Sequence, residues 1–180
     1  MSKYKKDLPP IIYNKDNIDA KIWGILTRAG KFKKLEKDEI IFKKGQPSNG
    51  LVCLMKGKVK ISSILIDGKE KIFGLLVAPA IFGETETLDG GLRMVSATAL
   101  SKVELTYISA EQIKKLILAY PEIALFIIKS IGIKLRWTTL QVEDLSALHK
   151  IPYRLANLLL NFNKYGVFTS HKEENCLSIT

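Results

Sequence analysis

The sequence predicts a mainly β fold with added helices, an antiparallel sandwich or barrel followed by one long helix. Between residues 39 and 109, six short runs rich in Val, Ile and Leu follow one another, with turn residues between them and no clear helical pattern. After these runs the apolar spacing becomes that of helices, and no proline interrupts residues 122–150. A helix of that length extends well beyond one small β domain, so we expect it to have a second role.

The N-terminal elements come first in this scheme. We expect residues 1–20 to form an arm. From Asp16 onward, apolar residues recur on one face of a helix, and Gly30 is a plausible stop. The face consists of Ile18, Ile22, Ile25 and Leu26.

The six β runs come next, and two of the turns between them carry good signals. Lys56-Gly57 separates two runs, and Asp67-Gly68 is a pair typical of hairpins. Because the runs are short and connected by turns, we expect neighbouring strands to be antiparallel. The runs are EIIFKKG, LVCLMKG, KVKISSIL, KIFGLLV, MVSATAL and KVELTYIS.

Helices follow the last run. Ser109 with Gln112 three residues later forms a capping box, and Pro121 suits the first position of the next helix. That helix is expected to reach Lys150, a length of roughly 43 Å. Pro152 then begins a further helix, which Gly166 closes.

The long helix carries an apolar seam at heptad spacing, which predicts a two-stranded coiled coil and hence a homodimer. The alternative is that the seam packs on the strand domain, but the length of the helix favours dimerisation. The residues predicted at the interface are Ile128, Ile131, Leu135, Thr138, Val142 and Leu145.

Composition narrows the class of protein. The chain of 180 residues suits one domain with a small appendage, and it contains no uncharged apolar run long enough for a membrane helix. The basic N-terminus lacks the apolar core of a signal peptide, and only Cys53 and Cys176 are present. We therefore expect a cytoplasmic protein with no disulfide framework and no membrane partner.

The net charge of +10 is concentrated at one end. Residues 1–60 hold 15 Lys and Arg against 6 Asp and Glu, and 24 of the 28 basic residues in the chain are lysines. Lysine is a solvated point charge, whereas arginine is the usual bidentate ligand of phosphate. The excess therefore favours a solvated surface, with long-range steering towards DNA as the alternative.

Enzymatic chemistry finds little support. The only histidines, His149 and His171, lie outside the strand region, so a metal site of the cupin type cannot be built there. Two separated cysteines cannot hold an iron–sulfur cluster, and there is no P-loop or nucleophile elbow. We expect no enzyme activity, no metal and no cofactor.

Five motifs in order carry a resemblance to a known family. LVCLMKGKVKI, IDGKEKIFGLL, FGETETL, VSATAL and PYRLANLLL occur with matching spacing, and together they resemble the CRP/FNR family of bacterial transcription regulators over roughly residues 25–180. The resemblance implies an arm (1–20), a cyclic-nucleotide-binding-like domain with a jelly-roll or double-stranded β-helix fold (21–120) and a dimerisation helix (121–150). It further implies a hinge and the start of a winged helix-turn-helix (151–180).

The resemblance also implies partners. The final residues, LSIT, resemble the opening of the winged-helix module. We therefore expect the chain to be a truncated fragment, with promoter DNA and RNA polymerase as partners of the full-length protein only. A homodimer and a small-molecule effector are the partners expected for these 180 residues.

The segment from Phe82 to Ala99 decides which effector is expected. In cyclic-AMP-binding members of the family, the glutamate of a Gly-Glu pair binds the ribose, and an arginine directly before Ser-Ala binds the cyclic phosphate. Here that arginine position holds Val95. Arg93 lies two residues earlier, on the same face of the expected strand, and could replace the missing arginine only if the loop shifts. Binding of cyclic AMP in the usual way is therefore not expected.

Other effectors remain. This chain lacks the residues that the haem-binding and iron–sulfur branches of the family use as ligands. Two classes remain: regulators that bind small organic anions or phenols, and regulators without an effector. On the long helix, Lys134, Arg136 and Trp137 could suit an aromatic anion, or could be solvated and packing residues. Two alternatives stay open: a stand-alone cyclic-nucleotide-binding module, and a constitutive regulator with a self-filled pocket. The candidate effector-binding residues are Gly83, Glu84, Thr85, Arg93, Val95, Ser96, Ala97, Lys134, Trp137, Thr138 and Thr139.

Overall fold

The computed structural model describes residues 18–146, 168–170 and 177–179 of the chain. The chain divides within one helix into two units, of which the first covers residues 11–133 and the second begins at Lys134. The first unit contains α1 (Ala20–Ala29), β1 (Lys31–Leu35), β2 (Ile40–Phe42), β3 (Leu51–Lys56), β4 (Lys58–Ile64), β5 (Glu70–Val77), β6 (Ala80–Phe82), α2 (Glu84–Asp89), β7 (Ser96–Ala99), β8 (Val103–Ile108) and α3 (Ala110–Ala119). Helix α4 (Glu122–Ser146) crosses the boundary, and the second unit also holds β9 (Phe168–Ser170) and β10 (Leu177–Ile179).

The first unit is built from two four-stranded antiparallel sheets. Their strand orders are β1-β8-β3-β6 and β2-β7-β4-β5, so strands that neighbour each other in a sheet are mostly distant in sequence. This is the arrangement of a jelly roll, and it confirms the predicted class of a β domain followed by a long helix. In the second unit β9 and β10 pair antiparallel, with Leu177 opposite Ser170.

Strand β3 forms the centre of the core. It lies between β8 and β6, and four consecutive residues, Leu51 to Leu54, are fully buried. A strand buried on both faces needs a continuous apolar run, and the sequence LVCL supplies one. Each such side chain contributes roughly 1.5–3 kcal/mol when it leaves water.

All six apolar runs form strands, and both turn signals are confirmed. Gly57 and Gly68 lie between β3 and β4 and between β4 and β5, each with positive φ. In the first unit, two strands were not expected from the sequence, β1 and β6, and β9 and β10 of the second unit were not expected either. Strand β1 is exposed at four of its five positions and lacks an apolar alternation, and β6 is only three residues long.

Helix α1 begins where a side chain caps it. Asp19 accepts hydrogen bonds from the backbone N–H groups of Lys21 and Ile22, at 2.8 and 3.1 Å. The predicted stop at Gly30 is confirmed, but its φ of −116° is extended rather than left-handed. A Cβ at Gly30 would overlap the carbonyl group of Tyr107 in β8, so close packing on the sheet requires glycine here.

The predicted capping box opens α3. Ser109 Oγ accepts from the N–H of Gln112 at 3.2 Å, and Gln112 Oε1 accepts from the N–H of Ser109 at 2.9 Å. The long helix is confirmed as α4, which starts one residue after Pro121. Residues 147–150 and the helix expected after Pro152 lie outside the described residues.

Candidate functional site

The segment between β6 and β7 contains a short helix where the sequence suggested only turn residues. Gly83 has φ +71° and precedes α2, and Gly90, with φ +78°, ends this helix by donating its N–H to the carbonyl of Glu86. A left-handed backbone strains every residue except glycine, which explains glycine at both ends. Six residues without an apolar stripe give no periodic helix signal, so α2 could not be identified from the pattern.

Arg93 lies at the centre of this segment and is only 1% exposed. Its Nη1 donates to the Gly83 carbonyl at 2.8 Å, and its Nη2 donates to the Gly50 carbonyl and to Asn49 Oδ1, the latter at 3.3 Å. The guanidinium therefore connects the start of α2 with the turn that leads into β3.

A carboxylate balances this buried charge. Glu86 Oε2 lies 3.3 Å from Arg93 Nη1, and Glu86 Oε1 accepts from the N–H of Met94 at 3.2 Å. The Phe42 ring lies under the guanidinium, 4.2 Å from Cζ to the ring centroid. Burial lowers the pKa of Arg93, and the charge of Glu86 opposes that shift.

The terminal nitrogens of Arg93 are thus fully occupied by protein groups. Nη1 and Nη2 each contact two acceptors, and Nε is buried without a hydrogen-bond partner among the described residues. Strand β7 begins only at Ser96, so the strand alternation expected to align Arg93 with Val95 does not extend to Arg93. An effector contact by Arg93 remains a prediction, and it would require some of these bonds to break.

The residues at the start of β7 point to a second polar cluster. Val95 packs partly buried against the core, and Ala97 is fully buried. Ser96 Oγ accepts from the backbone N–H of Lys44, at 3.0 Å, and the ammonium of Lys44 donates to Ser63 Oγ, also at 3.0 Å. Ser96 lies opposite Ser62 in the β4–β7 ladder, so these hydroxyl groups gather at one end of the sheet.

Glu84, which the family resemblance places on the ribose, is buried to 1% exposure. Its Oε1 lies 3.5 Å from the hydroxyl of Ser130, a buried residue on α4. The Gly-Glu pair therefore contacts the long helix directly, through a residue that sequence reasoning did not select. The neighbouring Thr85 is exposed.

The four helix candidates belong to the second unit, whereas the loop belongs to the first. Lys134 and Trp137 are half-buried, and Thr138 and Thr139 are exposed. The two threonine hydroxyls donate to the carbonyls of Lys134 and Leu135 in their own helix, each at 3.0 Å. Their participation in an effector site stays a prediction.

The residues predicted at the dimer interface differ in their solvent exposure. Ile128, Leu135 and Val142 are 62%, 65% and 56% exposed, and Thr138 is exposed too. Ile131 instead packs partly buried against the core of the first unit. The side chain of Leu145 lies outside the described residues.

Sequence reasoning missed several residues that contact this segment or the start of β7: Lys44, Asn49, Gly50, Glu86 and Ser130. Only Glu86 carried a usable signal, because a second glutamate lies close to the single arginine of the loop. The others come from segments far away in sequence and meet the loop only through the fold.

Neither a cluster of metal ligands nor a membrane-spanning helix occurs among the described residues. No set of three or more His, Cys, Asp and Glu side chains within them converges as metal ligands do. Nor does any helix in this part of the chain combine the length and hydropathy that crossing a bilayer requires.

Comparison with known proteins identifies the first unit. Residues 32–120 match the family model "Cyclic nucleotide-binding domain". The "CRP-like cAMP-activated global transcriptional regulator" of Mycobacterium tuberculosis is 29% identical over 153 residues, which cover 76% of this chain and 68% of that protein. The "cAMP-activated global transcriptional regulator CRP" of Haemophilus influenzae is 31% identical over 137 residues, 76% of this chain and 61% of that protein.

A solved structure agrees at the level of the fold. The c-di-GMP-responsive global regulator CLP of Xanthomonas campestris superposes with a TM-score of 0.74 at 22% identity, over 86% of this chain and 77% of that chain. The chain spans about two thirds of the length of the curated relatives described above. On the family model, these relatives and the shared jelly roll, the chain belongs to the CRP/FNR family of bacterial transcription regulators and carries the cyclic-nucleotide-binding-type sensor domain of that family.

Proposed function

We propose that this chain is the effector-sensing and dimerisation part of a CRP/FNR regulator whose effector is not held as a cyclic phosphate by a loop arginine. One observation carries the proposal. The motif position before Ser96 holds Val95, and all four terminal N–H groups of Arg93 face protein acceptors.

The energetic consequence is large. A charge-assisted hydrogen bond contributes about 1.5–3 kcal/mol, and a bidentate arginine supplies two, so their absence weakens cyclic-AMP binding by about a hundredfold or more. Recruiting Arg93 would leave the carboxylate of Glu86 buried without its partner, which is a further cost. A small organic or aromatic anion is therefore the effector class that we favour.

The helix supports a dimeric regulator. Ile128, Leu135 and Val142 recur at seven-residue spacing and are each more than half exposed in the single chain. A second copy of α4 would cover these side chains in a coiled coil. In a regulator of this family, effector binding would favour one packing of the two helices and so reorient the DNA-binding domains on promoter DNA.

A titration tests the effector class. The fluorescence of Trp137 is followed in a Trp23→Phe background while cyclic AMP is added, and then a panel of phenols and aromatic acids. We expect no micromolar saturation by cyclic AMP and a response to a member of the panel. Micromolar binding of cyclic AMP would show that the Val95 argument is wrong.

Sedimentation equilibrium tests the dimer. Leu135→Glu should convert the dimer to monomer, because it places a charge inside the expected seam. Leu118→Glu on α3 is a matched control, since Leu118 is 84% exposed and lies outside the seam. Equal dissociation of both variants, or of neither, would contradict dimerisation through α4.

A specific observation favours one second candidate, a constitutive regulator with a self-filled pocket. Glu84 and Arg93 already contact protein groups, including Ser130 on α4, in the single chain. A protein of this kind would stay silent throughout the titration and would still dimerise.

A further inference from the structure

One side of α4 carries large apolar side chains that are exposed in the single chain. Each of the four is more than half exposed: Leu125, Ile128, Leu135 and Val142. They are separated along the helix by three, seven and seven residues. Side chains at such spacings share one face of a helix, so the four form a single apolar stripe along α4.

The opposite side of α4 packs on the core of the first unit. The residues buried on that side are Ile123, Phe126, Ile127 and Ser130. At 3.6 residues per turn, Ser130 lies roughly 140–160° around the helix axis from Leu125 and Ile128. Ile131, which the heptad pattern predicts at the dimer interface, packs partly buried against the same core. At Leu125 and Ile128 the stripe therefore faces away from the core.

Two small residues complete the stripe. Gly132 and Thr139 lie four residues after Ile128 and Leu135, so the spacing alternates between three and four residues, as in a coiled coil. A Cβ at Gly132 would meet no atom of another described element within 4 Å. The Thr139 hydroxyl donates to the carbonyl of Leu135 at 3.0 Å, so it keeps its hydrogen bond if the residue becomes buried. The a positions are then Leu125, Gly132 and Thr139, and the d positions are Ile128, Leu135 and Val142.

The stripe suits a second copy of the same chain. None of its six positions is charged. In a parallel pair of helices related by two-fold symmetry, each layer contains the same residue from both chains. The Gly132 layer then lies between the large layers of Ile128 and Leu135. Because glycine has no side chain, the two backbones can come closer together there than elsewhere along the stripe.

We propose that a second copy of the chain packs on this stripe, and that the two copies of α4 approach each other most closely at Gly132. The proposal rests on the proposed function, because it specifies the residues through which the regulator dimerises. It places Leu125, Gly132 and Thr139 in the interface and removes Ile131 and Thr138 from it.

Cysteine cross-linking of the 180-residue chain tests the approach at Gly132. A disulfide requires Cα atoms about 4.4–6.8 Å apart, so it forms only where the two backbones are close. Gly132→Cys and Ile131→Cys are compared in a Cys176→Ser background, in which the buried Cys53 is retained. After oxidation and blocking of free thiols, we expect Gly132→Cys to run mainly as a covalent dimer on a denaturing gel and Ile131→Cys to run mainly as a monomer.

Two adjacent threonines provide a matched pair for sedimentation equilibrium. Thr138 and Thr139 are both exposed, and each hydroxyl donates to a carbonyl of its own helix at 3.0 Å. Thr139→Leu adds apolar surface to an a layer and should lower the dissociation constant of the dimer roughly tenfold. Thr138→Leu lies beside the stripe and should change that constant by less than about twofold. Leu125→Glu should raise it by more than roughly tenfold, because it places a charge in the interface.

The outcomes separate this interface from dimerisation itself. If Leu135→Glu dissociates the dimer but Thr138→Leu tightens it and Ile131→Cys cross-links, the dimer stands and the stripe is not its interface. If Gly132→Cys does not cross-link in a protein that sediments as a dimer, the close approach at Gly132 is wrong. A wild-type chain that sediments as a monomer would refute dimerisation through α4 as a whole. Thermal unfolding verifies that each variant is folded, and the exposed threonine pair decides between the two interfaces if Ile131→Cys does not fold.

Discussion

Replacing Arg93 with methionine distinguishes a structural arginine from a ligand-binding one. Methionine matches much of the length and volume of arginine but carries no charge and no donor. In the structure the substitution removes the donors to the carbonyls of Gly83 and Gly50 and the partner of the Glu86 carboxylate. The Gly50 carbonyl and the Glu86 carboxylate are buried, so water compensates little for the loss of their partner.

The expected magnitude follows from these contacts. Removing one member of a buried ion pair costs about 3–5 kcal/mol, because the other charge stays buried and uncompensated. The Gly83 carbonyl keeps the Thr87 hydroxyl as a donor, whereas the loss of the Arg93 donor to the Gly50 carbonyl adds about 1–3 kcal/mol, and the two costs do not sum because the contacts relax together. We expect Arg93→Met to lower the free energy of unfolding by about 4 kcal/mol, or the midpoint temperature by about 10 °C.

Urea denaturation followed by circular dichroism measures this change in the absence of any ligand. Arg93→Met, Glu86→Gln and the double variant form a cycle, and the double variant should lose at least about 1 kcal/mol less than the two single losses together. Breaking the exposed pair Lys34–Glu104 with Lys34→Met serves as the control and should cost less than about 1 kcal/mol. A loss below about 1 kcal/mol for Arg93→Met would refute the structural role.

Three further outcomes follow from the described contacts. In urea denaturation, Gly83→Ala should lower the free energy of unfolding by roughly 2 kcal/mol more than Gly90→Ala does. Both glycines have positive φ, but only a Cβ at Gly83 would overlap the Arg93 guanidinium. Equal losses of stability in the two variants would contradict this. Hydrogen bonds lower the pKa of Glu70, so its contribution to stability is complete above about pH 5 and is lost as the pH falls through the lowered folded pKa. The difference in free energy of unfolding between wild type and Glu70→Gln should therefore disappear in acid. A difference that stays constant with pH would refute this contribution of Glu70. Burial raises the pKa of Cys53 and shields its thiol. In a variant whose other cysteine is replaced by serine, iodoacetamide should therefore label Cys53 only in urea. Labelling of the native protein would show that this strand opens.

The fold was largely accessible from sequence because strands with an apolar period, glycine turns and a capping box are local signals. The runs that became β3, β4 and β8 combine β-branched residues with turn residues at their ends, and the structure confirms each. Strand β1 was not predicted because it is held in the sheet by pairing with β8, which lies about seventy residues later in the chain. Helix α2 was not predicted because it has no apolar stripe. Its limits are set by its two flanking glycines and by its contacts.

The candidate site was harder to predict from the sequence, because its key residues contact partners that lie far away in the chain. The position of Val95 could be read directly, but the burial of Arg93 depends on acceptors at positions 49 and 50, more than forty residues earlier. Similarly, the heptad spacing could not show that Ile131 turns towards the core while Ile128 stays exposed. Spacing gives the face of a helix, whereas the neighbouring sheet decides which part of that face is covered.

The position of β1 gives the lysine-rich N-terminal region a physical explanation. Strand β1 forms one edge of its sheet, and Lys31, Lys33 and Lys34 are exposed along it. An edge strand presents unpaired backbone groups to which a strand of another molecule can add, and charged side chains oppose that addition. We therefore expect these lysines to oppose edge-to-edge aggregation of the jelly roll, a role that requires neither DNA nor an effector.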